Sequence, residues 1–262
     1  MPYRYSFCYH SIGFPDVSGL SIEASEFEKQ IQFLVSTGKP IIKVEDNKSY
    51  RTDTINITFD DGYADNFETA ALILNKYNIP ATFYITTGAI SGEKKIISRM
   101  KQYSHGLEWM SAKNVKQLFD MGHEIGNHTH SHPCLASLSA EDLQNEILFC
   151  QNIIREIIGK YPTSMAVPFG RYKIHLQEEQ IKHIRDTKIN NIALLKDLPM
   201  DDEIILSRLP ISQKTDIQDI QRYILNKRTF KNHVKNIIPN VILYKINSFE
   251  TKICSKNSES II

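Results

Sequence analysis

Two hydrophobic periods alternate along most of this chain, and that alternation limits the folds open to it. Short runs in which apolar residues recur at every second position give way, again and again, to longer segments with apolar residues three and four apart. Strands are expected at Tyr3–Tyr9, Ile41–Val44, Asp53–Phe59, Ala81–Thr86, His123–Gly126, Ser164–Val167, Asn191–Leu195 and Ile204–Ile211. Helices are expected from Ser25 to about Gly38, and over Ala64–Tyr77, Ser111–Met121, Ser139–Gly159, His175–Thr187 and Asp216–Leu225. Ser25-Glu26-Phe27-Glu28 has capping-box spacing, with Phe27, Ile31, Phe33 and Leu34 as the apolar stripe behind it. Asp46–Asp53 reads as a polar loop. Gly88–Gly106 lacks a clear period and reads as a long loop with at most a helical turn; loops of that length are often functional. Strand–helix alternation of this regularity calls for βα units and a parallel sheet or barrel.

The composition narrows the class further. With 262 residues, 41% hydrophobic and 23% charged, the chain can bury one large α/β core. A net charge of +1 gives no general reason to expect a nucleic acid partner. The first ten residues have no long apolar core, so no signal peptide is expected. The four cysteines are scattered without CxxC spacing and read as free thiols, which favours a cytoplasmic setting. Beyond Arg222 the chain turns basic, with Lys227, Arg228, Lys231 and Lys235 among apolar residues. Residues 1–225 are read as one α/β unit. Residues 226–262 are read as a basic C-terminal helix or tail, with a peripheral membrane contact as the sharper reading.

Two stretches carry chemistry. Thr58-Phe59-Asp60-Asp61-Gly62 sets two carboxylates at the C-terminal end of a strand, where catalytic groups gather in α/β folds. Neighbouring carboxylates repel unless a cation or a shared proton offsets them. With a metal, one acid serves as ligand and the other works on water. The second stretch, Asn127-His128-Thr129-His130-Ser131-His132-Pro133, holds three histidines in a loop after a short strand. His128 and His132 can converge on one ion, and His130 between them is expected to face elsewhere. One aspartate and two histidines leave open positions, as in a catalytic zinc site. A third element, Pro168-Phe169-Gly170, reads as a pocket wall, with the Phe169 N–H facing a developing oxyanion.

These motifs, in this order, resemble the polysaccharide deacetylase family, carbohydrate esterase family 4. The likeness extends to Tyr9-His10-Ser11-Ile12, Ala81-Thr82-Phe83-Tyr84 and Gly122-His123-Glu124-Ile125-Gly126, and covers about Tyr5 to Ile211. The resemblance implies an α/β fold, a single-domain distorted (β/α) barrel of the NodB homology type. It implies a metal-dependent hydrolase removing an acetyl group from an N-acetylated sugar or glycan precursor. By position, Asp60 matches the catalytic base, and Asp61, His128 and His132 match the metal ligands. Zn2+ is the expected metal, with Co2+ or Ni2+ as substitutes. Two departures matter. Many members carry an arginine where this chain has Ala166; Arg208 is the candidate to supply that charge from another strand. The C-terminal Leu-x-His of many members is missing, and His10, at the end of the first strand, is the candidate general acid. Pro168, Trp109 and Glu124 are candidate pocket residues. The substrate is expected to be a free, lipid-linked or nucleotide-linked sugar, at the inner face of the membrane. Competing readings are a deformylase or other amide hydrolase, and a carbohydrate-binding protein whose catalysis has decayed.

Overall fold

In the computed structural model, which describes residues 2–13, 19–104, 106–195 and 204–225, seven parallel strands close into a barrel. In chain order the strands are β1 (Arg4–Tyr9), β2 (Ser11–Ile12), β3 (Ser21–Ile22), β4 (Thr54–Phe59), β5 (Thr82–Ile85), β6 (Glu124–Asn127), β7 (Ser164–Ala166), β8 (Asn191–Leu195) and β9 (Ile205–Pro210). The barrel runs β1-β4-β5-β6-β7-β8-β9, and β9 returns to pair with β1 through Ser6↔Arg208 and Phe7↔Leu209. The pair β2–β3 stands apart as a small sheet. Helices α1 (Ala24–Ser36), α2 (Ala71–Lys76), α3 (Thr87–Ile90), α4 (Lys94–Ser104), α5 (Ala112–Asp120), α6 (Ala140–Ile158), α7 (Glu178–Asp186) and α8 (Ile217–Leu225) fill the connections. The segment 226–262, with its expected basic helix or tail, lies outside the described residues.

Period two in the strands sorts residues between two environments. In β4, Ile55, Ile57 and Phe59 point outward into the helix layer, where Phe59 stacks on Phe83 (4.7 Å) and packs edge-on against Phe27 of α1 (5.8 Å). Full burial of such a side chain stabilises by roughly 1.5–3 kcal/mol. The alternate residues turn into the barrel, and they are polar: Ser6 donates to Asn56 Oδ1 (3.0 Å), and Thr58 donates to the Phe7 carbonyl (2.8 Å). A polar barrel interior is stable only when its groups are hydrogen-bonded to one another.

The expected strand at Ile41–Val44 is not formed. Ile41 makes a single bridge to Ile55, and the chain then enters a 3-10 helix, Val44–Ser49. Its backbone N–H groups are claimed by barrel side chains: Val44 N donates to Thr82 Oγ1 (3.1 Å) and Glu45 N to Glu124 Oε2 (3.0 Å). With Val44 and Asn47 buried, this segment plugs the N-terminal mouth of the barrel. The expected loop Gly88–Gly106 is instead mostly helical, as α3 and α4. Ile96 and Met100 of α4 are buried against Ala89 and Trp109. The helix at 64–77 begins with a π-helical turn, Asn66–Ala70. The first helix is entered at Glu23, with no side-chain cap, so the box at Ser25 is not used. The helix expected from His175 starts later, at Glu178. Ser111 and Ser139 cap α5 and α6 as expected, and Gly159 ends α6 in the left-handed conformation. Cys8 and Cys150 are buried free thiols, whereas Cys134 is disulfide-bonded, which corrects the reading of four free thiols. No helix among the described residues is long and apolar enough to cross a membrane.

Candidate metal centre and active site

The C-terminal ends of β1, β4, β6 and β7 open on the same mouth of the barrel and deliver His10, Asp60 with Asp61, His128 and Phe169 to it. Asp61 takes a left-handed backbone conformation (φ 72°), and glycine follows at φ 79°. Residues at φ > 0 are strained unless small or polar. Here the turn directs two consecutive carboxylates to different partners.

Asp61 meets the histidines. Its Oδ1 lies 3.2 Å from His128 Nε2 and 3.3 Å from His132 Nε2, and all three residues are buried. The ring nitrogen His128 Nδ1 lies 2.9 Å from the Ala166 carbonyl, an acceptor only. The proton of a neutral His128 ring therefore sits on Nδ1, and Nε2 offers a lone pair to a carboxylate that also has only lone pairs. Such an arrangement needs a proton or a metal ion between the acceptors. With a proton there, His128 donates to Asp61, and against the effect of burial that bond raises the His128 pKa. Three donors held about 2.0–2.1 Å from a tetrahedral ion are spaced at roughly 3.3–3.4 Å, close to the separations found. The donor set fits a divalent metal such as zinc on chemistry and on spacing. Burial works against charge on Asp61, but its bonds to His128 and His132 outweigh this and hold its pKa well below the usual carboxylate range.

Asp60 meets Arg208. Burial would raise the Asp60 pKa; the Arg208 guanidinium reverses that and lowers it. Arg208 Nη1 donates to Asp60 Oδ1 (2.6 Å) and Nη2 to Oδ2 (2.8 Å), a bidentate pair, while Nη1 also reaches Thr58 Oγ1 (3.0 Å). Arg208 is wholly enclosed, at 0% exposure, with Tyr84 across its plane (5.4 Å to the ring centroid). It sits within β9 rather than at a strand end. Cys8 donates to Asp60 Oδ2 (3.4 Å), and a His10 ring nitrogen lies within 4.8 Å of the ligand atoms of Cys8 and Asp60. His10 Nδ1 is buried and has no hydrogen-bond partner among the described residues.

The histidine loop is tied down from outside. Thr129 (φ 65°) and His132 (φ 56°) are both left-handed, a conformation that costs about 1–3 kcal/mol per residue when the side chain is not glycine. His132 N donates to Thr129 Oγ1 (3.0 Å). Glu146 of α6 accepts from His130 N (3.0 Å), Ser131 N (2.8 Å) and Ser131 Oγ (2.6 Å). His130 turns away from the ligands, as expected, to Thr87 Oγ1 (3.1 Å) and Glu93 (3.0 Å).

Phe169 (φ 62°) places its ring on His132, 4.7 Å between centroids, and Pro168 beside it is buried. Trp109 lies 5.8 Å from the Tyr63 ring, just beyond the Asp60–Gly62 turn. Glu124 does not line this site. The register Thr82↔Glu124 puts it at the opposite mouth, where Ser164, Thr82 and the Glu45 N–H bind its carboxylate. Thr58, Cys8 and Glu146 are site residues that sequence reasoning did not single out.

A closed parallel (β/α) barrel brings one carboxylate and two imidazoles together, beside a second carboxylate held by arginine. The particular family follows from comparison: the polysaccharide deacetylase family model matches residues 47–184, and this chain belongs to that family. A "Putative polysaccharide deacetylase YxkH" of Bacillus subtilis is 26% identical over 186 residues, 68% of this chain and 60% of that protein. A "Peptidoglycan-N-acetylglucosamine deacetylase PgdA" of Listeria monocytogenes is 26% identical over 172 residues, 64% of this chain and 32% of that protein. The chain thus spans less than two thirds of either relative. In fold it is similar to the "Streptococcus pyogenes deacetylase PplD in complex with acetate" (TM-score 0.72, 17% identity, 85% of this chain and 98% of that one). It is equally similar to "IcaB from Ammonifex degensii" (TM-score 0.71, 17% identity, 85% and 97%).

Proposed function

We propose that this protein hydrolyses the acetamide of an N-acetylated sugar, releasing acetate and leaving a free amine. The observation that carries the reading is the division of labour between adjacent carboxylates: Asp61 faces two imidazoles at 3.2 and 3.3 Å, and Asp60 faces Arg208 at 2.6 and 2.8 Å. Asp61, His128 and His132 would hold a divalent metal, with zinc as the default for this donor set. Such a metal, when bound, polarises the acetamide carbonyl and makes water more acidic.

The remaining work falls to the chain's own groups. Asp60, kept ionised by Arg208, accepts a proton from the attacking water. Arg208 fixes both Asp60 oxygens and so fixes the direction of the remaining lone pairs. It provides the positive charge that Ala166 does not, and this weakens the case for a decayed binding protein. The Phe169 N–H donates to the oxygen that gains charge as the carbonyl carbon becomes tetrahedral. His10, in its protonated form, gives the departing nitrogen its proton as the C–N bond breaks. Pro168, Phe169 and Trp109 wall the sugar site.

The substrate setting is part of the same proposal. The acetamide is proposed to belong to a sugar that is free, lipid-linked or nucleotide-linked. Acetate release from a panel of N-acetylated sugars and glycan fragments, with zinc supplied, tests the function. Acetate is expected, and Asp60→Asn should abolish it while metal binding survives. Formate or ammonia in place of acetate would favour a different amide hydrolase. Neither product, together with no stoichiometric metal, would reject the proposal.

A further inference from the structure

Helix α4 carries Lys94, Lys95, Arg99 and Lys101 in the sequence KKIISRMKQYS, with no acidic residue. Its apolar face is settled: Ile96 and Met100 pack with Ala89, and Trp109 joins them. Its place relative to the metal centre is settled as well. Gly88, just before it, donates to the His130 carbonyl (2.8 Å), and Glu93 reaches the His130 ring (3.0 Å). On the other side Trp109 bridges to Tyr63, two residues from Asp61. A basic helix is therefore clamped between the histidine loop and the Asp60–Gly62 turn.

Within that helix Arg99 stands out. Its Nη2 is buried and has no hydrogen-bond partner among the described residues. A buried donor left unbonded is costly and rare, most of all on a charged group. The acids that flank α4 do not serve it, since Glu93 engages His130 and Glu108 engages Lys101 (3.0 Å). Ile96, three residues before Arg99, packs so close to Gly88 that a Cβ there would collide with Ile96 Cδ1 and stand 2.8 Å from the His130 carbonyl oxygen, so this part of α4 lies against the histidine loop. Lys94 and Lys95, both exposed, carry the positive surface outward from the site.

A guanidinium presents a planar fork of donors that matches the oxygens of a carboxylate or a phosphate. We propose that Arg99 is the anchor of an anion subsite next to the metal centre, so that the substrate is an N-acetylated sugar bearing a carboxylate or phosphate near its acetamide. This rests on the deacetylase reading of the same site and narrows its substrate class. The shared chemistry is an oxyanion of low pKa; a carboxylate on the sugar and a phosphate linking it to a carrier are its two sources.

Three probes separate the possibilities: neutral tri-N-acetylchitotriose, an oligosaccharide containing N-acetylmuramic acid, and a phosphate ester of N-acetylglucosamine. Binding to the full chain is measured by calorimetry at low and moderate salt, and acetate release is followed in parallel. At least one charged probe should bind about tenfold or more tightly than the neutral one, with the advantage shrinking as salt rises. Arg99→Gln should bring the charged-to-neutral ratio close to one, and Arg99→Lys should recover part of it. The charged probe that gains identifies the source of the anion. Equal binding of all three probes by the unmodified protein overturns the subsite, as does an Arg99→Gln ratio equal to that of the unmodified protein. Acetate released equally from all probes would leave the deacetylase reading standing without the subsite. Charge-selective binding that depends on Arg99, with no acetate from any probe, would do the reverse.

Discussion

Asp60 is a carboxylate in a place that ought to protonate it, and Arg208 is the reason it stays charged. Breaking a buried pair by removing one partner typically costs 3–5 kcal/mol, because the other charge is left alone in a poor dielectric. Arg208→Ala is therefore expected to destabilise the whole barrel as well as the site. Arg208→Lys separates the two effects, since an ammonium keeps the charge but loses the bidentate fork. That variant should fold and bind zinc as before, with kcat down by about tenfold or more. Zinc content and steady-state kinetics on one preparation check this, and unchanged kcat would reject the orienting role. His10→Gln should lower kcat and remove the limb of the pH–rate profile that reports a general acid. A profile of unchanged shape would move the acid elsewhere. At this scale the sequence was informative where ligand-type residues crowd together, as at Asp60-Asp61 and His128–His132. Arg208 was legible only as compensation for Ala166. Cys8 and Thr58 were not legible, because ordinary strand residues acquire a role only once the register Cys8↔Thr58 sets them beside Asp60.

At the level of elements, the histidine loop depends on a helix that carries none of its ligands. Glu146 receives three hydrogen bonds from His130 and Ser131, within a loop that contains two left-handed residues. Outer partners of this kind typically change metal affinity about ten- to a hundredfold when lost. Glu146→Ala should weaken zinc binding by such a factor, and Glu146→Gln, which keeps one acceptor oxygen, by less. Chelator competition measures it, and an affinity equal to that of the unmodified protein would show that the loop holds its shape unaided. The capped helices α5 and α6 could be read from Ser111 and Ser139 because a cap is a local interaction. Helix α4 was misread as loop: among its described side chains only Ile96 and Met100 are buried apolar positions, too few to print a period on a lysine-rich segment. Ile41–Val44 has strand-like residues, but after Ile42 N pairs with the Ile55 carbonyl (2.9 Å) the Ile42 carbonyl accepts from Asn56 Nδ2 and Val44 N donates to Thr82 Oγ1, side chains inside the barrel, a tertiary choice that no local pattern records.

For the molecule as a whole, the polar interior makes stability depend on pH. His123 is buried, accepts a hydrogen bond from the Ala81 N–H at Nδ1 (3.1 Å), and is pushed down to about 4, chiefly by burial and then by the Lys43 charge. The unfolded chain takes up this proton near its ordinary value of about 6.5, before the folded chain does. The contribution is therefore complete above about pH 6.5 and is lost as pH falls toward 4, by on the order of 3 kcal/mol in full. Asp65, raised by burial to about 6, acts in the opposite sense over part of that range. The His123 effect is accordingly read as a difference: the stability of the unmodified protein minus that of His123→Gln should shrink between about pH 7.5 and about pH 4.5. Denaturant titrations at both values check it, and a difference independent of pH would contradict the assignment.

The claim beneath all of this is that Asp61, His128 and His132 jointly grip one divalent cation while Asp60 stays outside its ligand set. X-ray absorption at the zinc edge, on protein loaded with one equivalent of zinc, tests it most directly. A four-coordinate ion with two imidazole nitrogens and oxygen ligands at about 2.0–2.2 Å is expected. One imidazole signature should disappear in His128→Ala, and both should persist in Asp60→Asn. A shell of oxygen alone, or an imidazole count that His128→Ala leaves unchanged, would contradict it.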